Sequence, residues 1–178
     1  PGPPETPNVT GTNVKVVYVP DRKVLYAASL NKKEQLNFYD TLATLHGRLA
    51  LRPEGMTGRG LMTMMKKGEL LAVNFKFSER HLDADTSDFN LLSFDLSSMA
   101  FRTTNVNAHV DFDTKKGEFK SNDGESFVEF PDNQYICYMD MFTWLMDKDE
   151  VELSKSGADI NIDTGLDLAG SNFYSVHP

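Results

Sequence analysis

Asp83, Asp85 and Asp88 stand at spacing i, i+2, i+5 within Leu82-Asp83-Ala84-Asp85-Thr86-Ser87-Asp88-Phe89. Alternating carboxylates on a loop are how a calcium site begins, because a hard cation gathers several oxygens at once. Calcium is the only cofactor this chain suggests, and these three aspartates are its metal candidates. A full EF-hand loop is ruled out, since Asp88 stands where its glycine belongs and Phe94 where its bidentate glutamate belongs. The competing reading is a polar turn in which Asp and Ser side chains bond their own backbone.

A second group surrounds the single tryptophan. Asp140, Asp147, Asp149, Glu150 and Glu152 flank Trp144, and Tyr135 and Tyr138 lie just upstream. Sugars stack on aromatic faces while carboxylates accept hydrogen bonds from their hydroxyls, so Trp144, Tyr135, Tyr138, Asp140 and Asp147 are the candidate ligand-binding set for a glycan. Acids in this arrangement also guard an exposed edge strand. The same stretch, with Phe142, Met139, Met141 and Met146, reads either as core under a sheet or as an exposed surface for a partner or an acyl chain.

No other constellation supports catalysis. His46, His81, His109 and His177 make no HxH, HxxxH or HExxH pair, and Ser126 and Ser171 lie in no GxSxG elbow. Gly55, Gly58 and Gly60 follow a strand but precede no helix, so they read as hairpin glycines rather than a phosphate cradle. Cys137, the only cysteine, sits in an apolar context as a small buried hydrophobe and can form no intrachain disulfide. A non-enzymatic role is expected.

The 178 residues carry a net charge of −8, which argues against nucleic acid and anionic lipid surfaces as partners. No segment is apolar for long enough to span a bilayer. Residues 1–13, rich in Pro, Gly, Thr and Asn, read as a linker, and both ends look cut from a longer protein. The β-rich domain is expected over 14–178.

The elements that must hold these residues are strands. Period-two alternation marks 14–19, 24–28, 45–51, 61–65, 70–77, 81–92, 99–103, 106–112, 117–120, 127–130, 135–139, 142–146, 151–153, 160–162 and 166–168. In 70–77 the alternation groups Leu71, Val73, Phe75 and Phe77 on one face. The one helix candidate is 31–45, where Asn31 and Glu34 resemble a capping box; Phe38, Tyr39 and Thr41 oppose it. The fold expected is all-β, with stacked antiparallel strands in a solenoid-like or open β-jellyroll arrangement; a compact β-sandwich is the alternative. Two hairpin-like stretches, 45–60 and 106–121, begin roughly 60 residues apart and allow two similar halves, 14–98 and 99–178.

The stretch 47–60 (GRLALRPEGMTGRG), with 75–77 (FKF), 82–89 (LDADTSDF), 105–112 (NVNAHVDF) and 117–121 (GEFKS), resembles segments of very large envelope proteins of Bacteroidota-type bacteria. Over about residues 45–125 the cadence is also loosely similar to the β-jellyroll bridges of the lipopolysaccharide-transport periplasmic family. Those resemblances imply an extracytoplasmic location in the periplasm or at the cell surface of a Gram-negative bacterium, and no site residue carries over from them. The function expected is a structural or binding segment whose partners are flanking segments of the same protein, with self-association through sheet edges in isolation. A carbohydrate-binding sandwich and a lipid or acyl-chain carrier are the alternatives.

Overall fold

The computed structural model describes residues 5–93, 95–124, 127–148, 150–154 and 173–176. The strands expected at 160–162 and 166–168, as well as Asp149, lie outside them. Among the described residues fifteen strands, β1(Val9–Thr12), β2(Lys15–Val19), β3(Val24–Ser29), β4(Gln35–Phe38), β5(Ala43–Arg52), β6(Gly55–Met64), β7(Gly68–Phe77), β8(His81–Leu92), β9(Met99–Asp111), β10(Lys116–Ser121), β11(Phe127–Phe130), β12(Tyr135–Tyr138), β13(Met141–Leu145), β14(Glu150–Ser154) and β15(Phe173–Val176), form one antiparallel sheet. The all-β expectation holds, and the sheet is not closed into a barrel. Its main path runs β1-β4-β5-β6-β7-β8-β9-β10-β13-β14-β15; β3 joins β5, β2 joins β3, β11 joins β9 and β12 joins β11.

The helix expected over 31–45 is absent. The capping chemistry is real but closes a turn: the Glu34 carboxylate accepts the Leu30 N–H at 2.6 Å and the Asn31 N–H at 3.3 Å. Those two bonds, the Leu30 contact foremost, hold its pKa below the usual carboxylate range. The strand-favouring residues then win, and β4 ends in three successive left-handed residues, Tyr39, Asp40 and Thr41. Residues 1–13 are also more than a linker, since β1 pairs with β4 from Val9↔Phe38 to Thr12↔Gln35.

The long strands β7, β8 and β9 each change face midway. Buried positions run Leu70, Ala72, then Phe75, Phe77; Ala84, then Ser87; Thr103, then Val106. The ladders are disturbed at the same level: β7 and β8 lose their pairing between Ala72↔Ser87 and Phe75↔Ala84, and the register of β8 against β9 shifts on either side of Ser87↔Val106. An extra residue in a strand bends it and resets the alternation. Here three such insertions align into a crease, with Asn105 left-handed at its β9 end. The grouping of Leu71 and Val73 with Phe75 and Phe77 is therefore corrected: Leu71 and Val73 are 50% and 81% exposed on the outer face, while Phe75 and Phe77 are buried.

On β5 and β6 the crease passes through Gly47 and Gly60, which face each other. A Cβ on Gly47 would lie 2.1 Å from the Arg59 carbonyl oxygen, and Gly60 has φ +128. Only glycine permits so close a backbone approach with that dihedral.

Folding along the crease brings distant strands face to face. Tyr39, just after β4, stacks on Phe112, just after β9, with ring centroids 3.9 Å apart. Five strand spacings separate those strands along the sheet, about 24 Å if it were flat. Likewise Phe38 stacks on Phe77 at 4.7 Å, and Phe89 of β8 meets Trp144 of β13 at 5.5 Å. The inner faces fill with Phe, Leu and Met side chains, among them Leu45, Met62, Met64, Leu70 and Phe101.

Candidate functional site

Asp83, Asp85 and Asp88 lie on β8, not on a polar turn. Each carboxylate has its own neighbour: Asp83 meets His109 Nδ1 at 2.6 Å, Asp85 accepts from Lys76 Nζ at 2.8 Å, and Asp88 accepts the Asn105 N–H at 3.1 Å. All three stand on the face of β8 opposite the buried Leu82, Ala84, Ser87 and Phe89, and no metal-holding group of His, Cys, Asp or Glu occurs among the described residues. These contacts tie β8 to its neighbours.

The glycan set does not assemble either. Trp144 is fully buried, with Phe89 beside it and Gly68 leaving the space for its outer ring. Its Nε1–H has no hydrogen-bond partner among the described residues. A stacking platform must be reachable from solvent, so the role expected for Trp144 is corrected to core packing. Tyr135 and Tyr138 are exposed, but three residues apart on a strand they point to opposite sides. Asp147 is exposed in the turn after β13, while Asp140 sits half-buried before it, its carbonyl accepting the Ser121 N–H at 2.7 Å. Cys137 is buried, and burial pushes its thiol pKa up.

What the topology does bring together is a repeat. Val9 pairs with Phe38 as Gly117 pairs with Trp144, and Gly11 with Leu36 as Phe119 with Phe142. Leu36 then pairs with Leu45 as Phe142 with Leu153, and Phe38 with Ala43 as Trp144 with Val151. Ala43 pairs with Met64 as Val151 with Val176. Between β2 and β3 the turn is Pro20–Arg22 closed by left-handed Lys23; between β11 and β12 it is Pro131–Asn133 closed by left-handed Gln134. Thus β1 to β6 correspond to β10 to β15, about 110 residues apart in the chain. This phase differs from that of the halves 14–98 and 99–178. Its sequence signal is the Pro-Asp pair after an apolar strand, Val19-Pro20-Asp21 and Phe130-Pro131-Asp132, which the shorter-period comparison of hairpins passes over.

Among the described residues the two copies differ in their pairings: β3 joins β5 whereas β12 pairs with β11 alone, and only the second copy has its first two strands covered by β9. β10 pairs with β13 on one side and with β9 on the other, and β11 pairs with β12 and with β9. Strand β9 serves both because it kinks at Asn105: Val106 to Asp111 pair with β10, and Arg102 and Thr103 with β11. The Thr103 hydroxyl donates to the Phe127 carbonyl at 2.9 Å, and Arg102 Nε to Glu129 at 2.7 Å. In the first copy, β1 pairs with β4 alone and β2 with β3 alone among the described residues. Val16, Val17 and Tyr18 are 53%, 43% and 58% exposed, whereas Val128, the counterpart of Val17, is 1% exposed. Behind this edge the interior is open, with Val16, Leu25, Leu36, Leu51 and Met56 lining a cleft between the two layers.

Comparison with protein-family models, curated proteins and solved structures gives no match.

Proposed function

We propose that this chain is a non-enzymatic structural and binding segment of a larger extracytoplasmic protein, extended at its N-terminal edge by further strands of its own kind. One observation carries the proposal: β1 and β2 match β10 and β11 in register, and where β9 covers the second pair nothing among the described residues covers the first. A repeat stacked in this way buries its core only against a neighbour, so an end without a cap leaves apolar side chains and unpaired backbone groups in water. The fitting partner is a kinked strand of the β9 type from a flanking segment. In isolation a second copy of the chain takes its place. The extracytoplasmic location rests on the resemblance of 47–60 and 105–112 to envelope proteins.

The test is sedimentation velocity over a dilution series, comparing the wild type with Val17→Lys, which puts a charge on the open edge while leaving the β2–β3 turn intact. The mean mass of the wild type should rise with concentration, and the variant should stay monomeric. A wild type that stays monomeric at millimolar concentration contradicts the proposal.

A further inference from the structure

Arg48 and Arg59 are direct cross-strand partners on the outer face of β5 and β6. Like charges placed opposite each other on a sheet repel, and a native fold normally offsets this with a nearby carboxylate. Here the ion pairs of the described residues engage Lys76, Arg80, Arg102 and Lys116, and none engages Arg48 or Arg59. In a chain of net charge −8 an uncompensated arginine pair is an exception to the surrounding field.

The pair borders a shallow apolar groove along the crease. Leu71 at 50%, Val73 at 81% and Leu30 at 58% exposure line it. Gly47 and Gly60 form its bare floor, where no side chain can rise between the guanidiniums and the apolar wall. Asp88 reaches the far rim, where its Oδ1 accepts the Asn105 N–H at 3.1 Å. Two guanidiniums present a bidentate fork to an anion, and the strip beside them offers burial to a hydrocarbon chain.

We infer that this outer groove binds a single-chain anionic amphiphile, with its phosphate or carboxylate head between Arg48 and Arg59 and its acyl chain over Leu71 and Val73. The assignment is independent of strand addition at β1 and β2, and it lies on the opposite side of the sheet from the packed core. Charge complementarity selects the occupant: an uncharged chain leaves the arginine pair unrelieved, and a bare anion leaves the apolar strip in water.

The test is a calorimetric titration of the full chain below the micelle concentration with dodecyl phosphate, inorganic phosphate and dodecyl maltoside, alongside amide shift mapping. Dodecyl phosphate should bind saturably, at least tenfold more tightly than the other two, with shifts centred on 47–48, 59–61 and 71–73. Arg48→Gln with Arg59→Gln should weaken it at least tenfold, Val73→Ser severalfold, and Arg48→Lys with Arg59→Lys less than the glutamine pair. Folding of each variant is checked by circular dichroism, and both arginines are exposed enough for substitution to leave the core intact. Equal affinity for inorganic phosphate, binding unchanged in the glutamine pair, shifts elsewhere, or uptake only onto anionic vesicles would each overturn the assignment.

Discussion

Gly68→Ala probes the folded-over sheet directly. Gly68 opens β7, and a Cβ built there would lie 2.4 Å from both Cη2 and Cζ3 of Trp144 on β13. Along the sheet these strands are four spacings apart, about 19 Å if flat, so the contact exists only because the layers face each other. To restore ordinary contact the indole must retreat by about 1 Å in a close-packed interior. Phe89, with its centroid 5.5 Å away, limits that retreat, and the indole has no exposed side to swing toward. Overpacking of this kind costs about 1–3 kcal/mol. Trp144→Phe shortens the ring and removes the clash, and it also deletes the unpartnered buried Nε1–H, which offsets part of the cavity it leaves. The double variant should therefore recover at least about 1 kcal/mol relative to the sum of the single effects. Urea unfolding followed by far-ultraviolet circular dichroism gives all four corners of the cycle, since Trp144 is the only tryptophan. Additivity within about 0.5 kcal/mol would refute the packing argument.

Other outcomes follow from the same geometry. Gly47→Ala should lower the urea midpoint more than Gly68→Ala, because its Cβ meets the Arg59 carbonyl at 2.1 Å and backbone cannot step aside as a ring can. Tyr39 donates to the His81 carbonyl at 2.6 Å, and burial, reinforced by Asp83, raises its pKa above the ordinary phenol value. A raised folded-state pKa means stability is complete below pH ~10 and lost as pH climbs above it; Tyr39→Phe should cost about 1 kcal/mol at neutral pH and flatten that alkaline limb in a pH series of urea titrations. Asp95, bonded first by the Ser93 hydroxyl and then by Ser97, has its pKa held down to about 2, so its carboxyl resonance should titrate with a midpoint near there rather than near 4.

The strands were legible because half-buried antiparallel strands write their period into the sequence, and 14–19, 24–28, 99–103 and 106–112 do so plainly. The crease was not. It depends on single extra residues at Val73–Asn74, Asp85–Thr86 and Thr104–Asn105, and strict alternation across β7 assigns Leu71 and Val73 to the wrong face. The turn chemistry of Asn31 and Glu34 was visible, but whether a helix or a strand follows is set by where Phe38 is buried against Phe77, thirty-nine positions onward. Trp144 resembled a platform because its carboxylate neighbours are adjacent in sequence. The space that takes it in is made by Gly68, which nothing local reveals. The long repeat escaped because register is conserved between the copies while residue types are not: Gly11 stands where Phe119 does, and Phe38 where Trp144 does.

The most direct test of the open edge is amide hydrogen exchange on the two equivalent hairpins across a concentration series. At low concentration amides 16–18 should exchange quickly while 128–129, covered by β9, stay protected; at high concentration 16–18 should become protected too. Equal, concentration-independent protection of the two hairpins would contradict the account.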